Sequence, residues 1–264
     1  MHVITFNSEK GGTGKSTLST HLAGGLAVLG HNVLLIDADP QGNATLSLGL
    51  RKDDGFYRLL IDEETLEDVA RPVSPQVYAV LNQPVKGALY CVPGNRKSYG
   101  INNTLEDSFV LVDLLRDVEG IDIVIIDTPP TPGLLMRVIY EATDFAIVPT
   151  QLELLSLDGL MGVLRTLPRV NVGLLGIVPN MFRYSTAIHG HNLQTLSGAA
   201  QKQGWRLFDP VGLRTAFPVA SQNQRMVWGI DGDTKAAGEV WNIVEIVASE
   251  VSQWDAAASK TQMR

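Results

Sequence analysis

The sequence predicts an α/β fold, a doubly wound and mostly parallel sheet with helices on both faces. Three observations predict it. Short apolar segments recur along the chain, and several lack the alternation of a half-exposed strand. Strands buried on both faces of a parallel sheet read this way. Segments of helical pattern separate them, and strand–helix alternation implies right-handed βαβ units. The first apolar segment also runs into a glycine- and lysine-rich loop that opens a helix, which is the setting of a phosphate-binding loop.

Taken in order, VITFN (3–7) is the first strand, and a helix over 15–29 follows its loop. NVLLID (32–37) is the second strand and ends on a carboxylate. The stretch 50–86 is the least regular. Acidic DEETLEDVA precedes Pro72, Pro75 and Pro84, so short helices and loops are expected there, packed on the edge of the same domain. ALYCVP (88–93) is a strand, and 103–117 a helix. IDIVIID (121–127) is an apolar strand ending in Asp127, followed by a helix over 132–142. DFAIVPT (144–150) and GLLGIVPN (173–180) complete the strands, with helices over 153–167, 185–204 and 234–252. With no repeat and no linker, residues 1–252 are expected to form one domain, and QWDAAASKTQMR (253–264) a frayed tail.

Composition narrows the function classes. At 45% apolar and 19% charged residues the chain is an ordinary globular sequence. A single cysteine, Cys91, excludes a disulfide framework and a multi-cysteine metal site. His189 and His191 are close in sequence, but without further ligands they read as a solvated pair. No apolar run approaches the roughly 20 residues of a membrane span. MHVITFN carries no charged leader and no cleavage site, so a cytoplasmic protein is expected. The net charge of −7 argues against a polycation, but the acidic excess lies in residues 1–150. Local basic patches in the second half remain open.

Residues 7–17 read NSEKGGTGKST. The pattern G-x-x-x-x-G-K-[ST] would place its first glycine where Glu9 stands, and Lys10 is an extra cation upstream. Gly11, Gly12 and Gly14 let the backbone curl so that its N–H groups, with Thr13 among them, face one centre. The helix N-terminus adds its positive end. Lys15 is placed to neutralise β- and γ-phosphate oxygens, Ser16 to offer a hydroxyl to Mg²⁺, and Thr17 to support the helix start and the α-phosphate. DADPQGN brings Asp37 and Asp39 to the C-terminal end of a strand, the edge where open α/β sheets bind ligands. Asp127 ends another strand, where an aspartate can hold Mg²⁺ through water. Thr128, Pro129 and Pro130 form a stiff segment beside it.

These segments resemble the ParA/MinD ATPases. Lys10 to Thr17 match the deviant Walker-A box K-G-G-x-G-K-[ST], DADPQGNAT (37–45) is similar to the ParA box, and IVIIDTPP to the family's Walker B. The resemblance runs in order from residue 1 to about 250. It implies ATP and Mg²⁺ as cofactors, and slow hydrolysis stimulated by a ParB-like or adaptor protein. It also implies a nucleotide-sandwich homodimer in which Lys10 reaches the partner's phosphates. It assigns Asp39 to orienting the attacking water and Asn180 to an adenine contact. It further implies non-specific DNA binding by the ATP dimer and a cytoplasmic, nucleoid-associated location.

Three departures qualify it. The chain begins on its first strand, so the N-terminal helix-turn-helix of larger ParA proteins is not expected. The basic C-terminal stretch of small ParA proteins is matched by GIDGDTKAAGEV (229–240), which keeps only Lys235. Arg214 matches a basic position of that surface, and Arg183, Lys202, Arg206 and Arg225 are further DNA candidates. MinD proteins end in a basic amphipathic helix, which QWDAAASKTQMR does not resemble, so a membrane partner is disfavoured. A cluster-bearing carrier like nitrogenase iron protein would need two cysteines per subunit.

Overall fold

The computed structural model of the chain describes residues 1–262 other than 81–82, 106 and 231. Among the described residues seven strands form one sheet: β1 His2–Phe6, β2 Val33–Asp37, β3 Arg71–Pro72, β4 Leu89–Val92, β5 Ile123–Asp127, β6 Phe145–Thr150 and β7 Gly173–Pro179. Their order is β3-β4-β2-β5-β1-β6-β7. All neighbours are parallel except β3, an antiparallel edge piece of two residues.

Burial explains why the central strands show no alternation. β2 and β5 are buried at every position. On one face Leu35 and Ile125 pack with Leu22 and Leu26 of helix α1 (Lys15–Leu29) and with Val240, Val244 and Val247 of the last helix, Thr234–Gln262. On the other face Leu34, Ile36, Val124 and Ile126 pack on Leu111, Leu115, Val138 and Ile139. Side chains of successive strand residues thus feed two different cores.

The register positions the site. Phe6 and Asp37 are both level with Asp127, so three strand ends meet at the C-terminal edge of the sheet. The loop after β1 leaves from this edge. The chain first winds outward through β2 and later passes from β5 across β1 to β6, which makes the edge over β1 and β5 the crevice of the sheet.

Six strands and α1 lie within two residues of their expected bounds. The expected helix 103–117 is two, Ile101–Thr104 and Val110–Arg116. Between them Asp107 Oδ1 accepts the Phe109 N–H at 2.8 Å, a local bond that competes with helix. The last helix passes residue 252 and continues to Gln262. Trp254 stacks on Phe145, with ring centroids 4.1 Å apart at 7°, and His2 Nε2 meets Asp255 Oδ1 at 2.9 Å. Trp254 and Asp255 are therefore held against Phe145 and His2, within the stretch expected to fray. Short helices at Asn43–Ser47 and Ala216–Gln222, and β3, had no counterpart in the sequence reading.

Candidate nucleotide site

The loop between β1 and α1 curls as glycine permits. Gly12 and Gly14 have φ of 74° and 91°, the left-handed region that side chains disfavour. A Cβ on Gly14 would also overlap the Asn180 amide. Asn180, at the end of β7, is buried and donates from Nδ2 to Thr13 O at 2.7 Å. Its Oδ1 accepts the Met181 N–H at 2.9 Å. The amide thus braces the loop through Nδ2, and Asn180 also lines the apolar slot beside it. Residues 11–17, Asp39, Asn43 and Pro130 line a cleft of about 380 Å³.

Lys15 is buried at the base of the loop, with Nζ donating to Ser8 O at 3.3 Å. Burial lowers its pKa, and the charges of Asp127 and Asp39 oppose that shift. Next to it the two strand-end carboxylates are fully buried. Asp37 Oδ2 accepts from Thr45 N at 2.7 Å and Thr45 Oγ1 at 2.6 Å, which leaves Oδ1 unpartnered. Desolvation raises Asp37 to about 6, with the two Thr45 bonds opposing. Among the described residues neither oxygen of Asp127 has a partner in good hydrogen-bond geometry; desolvation followed by the charge of Asp37 pushes its pKa well up, with the nearby Ser16 hydroxyl and Lys15 opposing.

Three unpartnered buried carboxylate oxygens are costly alone and suited to a hard divalent cation. Among the described residues, no group of three or more His, Cys, Asp or Glu gathers closely enough to hold a metal. A cation here must draw other donors, and the Ser16 hydroxyl in the cleft wall, water and phosphate oxygens are of the right type. The residues therefore fit Mg²⁺ held together with a phosphate ligand. Asp39 lines the same cleft, with Oδ1 accepting the Gln41 N–H at 2.8 Å.

The two lysines of the loop face different ways. Lys10 does not line the cleft. Its Nζ donates to Gln151 Oε1 at 2.9 Å, Ser156 Oγ at 2.8 Å and Glu153 Oε2 at 3.1 Å, around the start of the helix Leu154–Thr166. Gln151 Nε2 returns to Gly12 O at 3.1 Å, which ties this cage to the loop. Beside it Leu154 and Leu155 are 81% and 76% exposed.

A second cavity of about 240 Å³ shares Thr17, Met181 and Ser221 with the cleft. Leu18, Leu213, Phe217 and Pro218 make it an apolar slot. Met181, where the two spaces join, has φ of 53°, backbone strain of the kind found at ligand sites. The sequence reading missed Thr45, Gln151, Met181 and Ser221. Thr45 alone carried a signal, as part of the DADPQGNAT segment.

The DNA candidates do not assemble as one free patch. Arg214 is bound to Glu239 and lies 3.7 Å from Asp233, while Arg206 pairs with Glu250. Arg183, Lys202, Arg225 and Lys235 are exposed. Arg183 precedes the helix Ala187–Gln203 and Lys202 sits in its last turn, roughly 20 Å away along the axis. His189 is buried, and its Nδ1 accepts the Arg183 N–H at 3.2 Å, so the expected solvated His189/His191 pair is not formed.

This geometry has known relatives. A family model described as an AAA domain matches residues 1–174. The chromosome-partitioning ATPase Soj of Thermus thermophilus is 37% identical over 186 residues, 68% of this chain and 69% of that one. The cell division protein PomZ of Myxococcus xanthus is 32% identical over 253 residues, 91% of this chain and 76% of that one. In fold, the chain is similar to the apo McdA of Cyanothece at a TM-score of 0.80 and 20% identity, covering 94% of this chain and 99% of that one. No helix among the described residues is long and apolar enough to cross a membrane. The chain belongs to the ParA/MinD family of ATPases.

Proposed function

We propose that the chain is an ATP-dependent positioning ATPase that dimerises on ATP and hydrolyses it slowly until a partner intervenes. The observation that carries this reading is buried Lys15 in the cleft wall, with the unpartnered oxygens of Asp37 and Asp127 buried at the level strand ends beneath the same loop. A cation and a pair of hungry carboxylates at a helix N-terminus suit a nucleoside triphosphate bound with its metal.

In this reading Gly11, Gly12, Thr13, Gly14 and Thr17 present the loop and helix start to the phosphates, and Lys15 holds the β- and γ-oxygens. Ser16, Asp37 and Asp127 hold Mg²⁺, which would draw charge from the phosphates. Asp39 orients the attacking water at the open side of the cleft. The apolar slot takes the base, with Asn180 positioning the loop between base and phosphates. Lys10 leaves its cage and serves the partner's site, since two facing triphosphates at an interface need added cations.

The dimer then binds DNA without sequence preference through the exposed Arg183, Lys202, Arg225 and Lys235, while Arg206 and Arg214 contribute only if their ion pairs open. Residues 1–252 act as one unit, cytoplasmic and nucleoid-associated. A ParB-like or adaptor protein stimulates release. The relatives named for chromosome partitioning and cell division support a cargo that is either DNA or a protein assembly.

Lys15→Ala tests the site. Titration of ATP with Mg²⁺ by calorimetry is expected to lose at least a hundredfold in affinity, because charge compensation and loop order go together. Wild-type affinity in this variant would defeat the assignment.

A further inference from the structure

The apolar slot is formed by four segments, and one of them, paired through its backbone to Pro179 and Phe182, is also braced by a side chain from outside the slot. The wall Gly212–Leu213–Arg214 lies in the stretch between the helices Ala187–Gln203 and Ala216–Gln222. It is fastened from outside by one carboxylate of the last helix. Glu239 Oε2 accepts the Gly212 N–H at 2.9 Å and Arg214 Nε at 3.1 Å. Its Oε1 accepts the Tyr184 hydroxyl at 3.0 Å and Arg214 Nη2. Tyr184 in turn packs edge-on against Phe182, and the Leu213 N–H donates to Phe182 O at 2.9 Å. Gly212 leaves no slack, since a Cβ there would lie 3.1 Å from Arg214 Nε and 3.2 Å from the Tyr184 ring.

We infer that Glu239 is a positioning residue for the base of the nucleotide, acting through the wall it holds and touching no ligand itself. The inference rests on the slot being the base site. Four donors on one carboxylate, whose side chain is only 16% exposed, give the wall a single position. Charge-assisted bonds are the strong ones, and a slot with one fixed wall binds a flat ring without first ordering it. The same bonds keep Arg214 turned to Glu239 and away from phosphate, so an arginine beside the nucleotide serves shape. A mobile wall would lose affinity for the base and leave the phosphate cleft, on the other side of Met181, as it is.

The test compares ATP with inorganic tripolyphosphate, both with Mg²⁺, by calorimetry on wild type, Glu239→Gln and Tyr184→Phe. The ratio of the two affinities reports the nucleoside, base with ribose, and phosphate attraction from a loosened Arg214 enters both affinities. Glu239→Gln keeps size and one acceptor, and is expected to lower the ratio about tenfold, the loss of one charge-assisted bond. Tyr184→Phe, which leaves the carboxylate and Arg214 in place, is expected to lower it two- to threefold and serves should Glu239→Gln not fold. An unchanged ratio in folded variants would overturn the role of Glu239 and leave it a strut. A wild-type protein that binds ATP no tighter than tripolyphosphate would instead remove the slot as base site, whatever the variants do.

Discussion

At the residue scale, the question raised by KGGTGKST is why two lysines flank the glycines. Lys15 is buried and faces the cleft; Lys10 is caged by Gln151, Glu153 and Ser156. A lysine that serves a partner must first leave this cage. The Lys10–Glu153 pair is half exposed, at 31% and 48%, so its contribution is below about 1 kcal/mol. Glu153→Gln is therefore expected to lower the ATP concentration for half-maximal dimerisation by two- to fourfold, read by light scattering. A rise in that concentration would mean that Glu153 supports the dimer and does not restrain it. The cleft itself was legible in the sequence, because Lys15, Ser16, Asp37 and Asp127 sit at fixed places relative to strand ends. The cage was not, because its partners lie 141 to 146 residues from Lys10 and no spacing rule links them. Arg214 read as a free cation for a related reason: Glu239, which holds it, is 25 residues away on another element.

At the element scale, α1 connects the phosphate loop to the core through His21. Its Nδ1–H donates to Thr17 O at 2.7 Å and its Nε2 accepts the Val227 N–H at 3.0 Å, so both nitrogens suit the neutral ring. The rings of Phe217 and Trp228 pack edge-on against it. Burial depresses its pKa to about 4, with the Thr17 bond opposing. An unfolded histidine takes up its proton near 6.5, so the unfolded state binds more protons between about 6.5 and 4. The contribution is complete above 6.5 and is lost as pH falls through that window, roughly 3 kcal/mol in all. Asp37, raised to about 6, acts in the opposite sense in the nucleotide-free protein. The His21 part is isolated by comparing urea midpoints of wild type and His21→Gln at pH 7.5 and 5.0. The variant is expected to lose less stability on acidification than wild type, and an equal loss in both would contradict the assignment. Helix α1 was legible from its pattern. The end of the last helix was not, because what extends it is the stacking of Trp254 on Phe145, a tertiary contact.

On the scale of the whole molecule, a monomer of net charge −7 is a poor ligand for a polyanion. In the proposed ATP dimer each exposed cation would be present twice, and bivalency raises avidity without a new contact. Binding to a non-specific duplex, followed by anisotropy, is expected to need ATP, to ignore sequence and to fall steeply between low and physiological salt. Arg225→Ala is expected to weaken binding to all sequences alike and to reduce the salt slope by about one unit per phosphate lost. Arg214→Ala should change the slope less, since Glu239 already neutralises that side chain. Equal binding with ATP, with ADP and without nucleotide would remove DNA from the mechanism.

If ATP joins two copies through Lys10, the mass in solution must double with ATP and depend on that lysine. Sedimentation velocity is run with Mg²⁺ and either ATP or ADP on Asp39→Ala, which is expected to keep bound ATP if Asp39 has its proposed role with the attacking water, and on the same variant carrying Lys10→Ala. Twice the 28.6 kDa chain mass is expected for Asp39→Ala with ATP, the single mass with ADP, and the single mass for the Lys10→Ala double variant although it still binds ATP. A single mass for Asp39→Ala at saturating ATP, or a double mass for the variant without Lys10, would contradict dimerisation through Lys10.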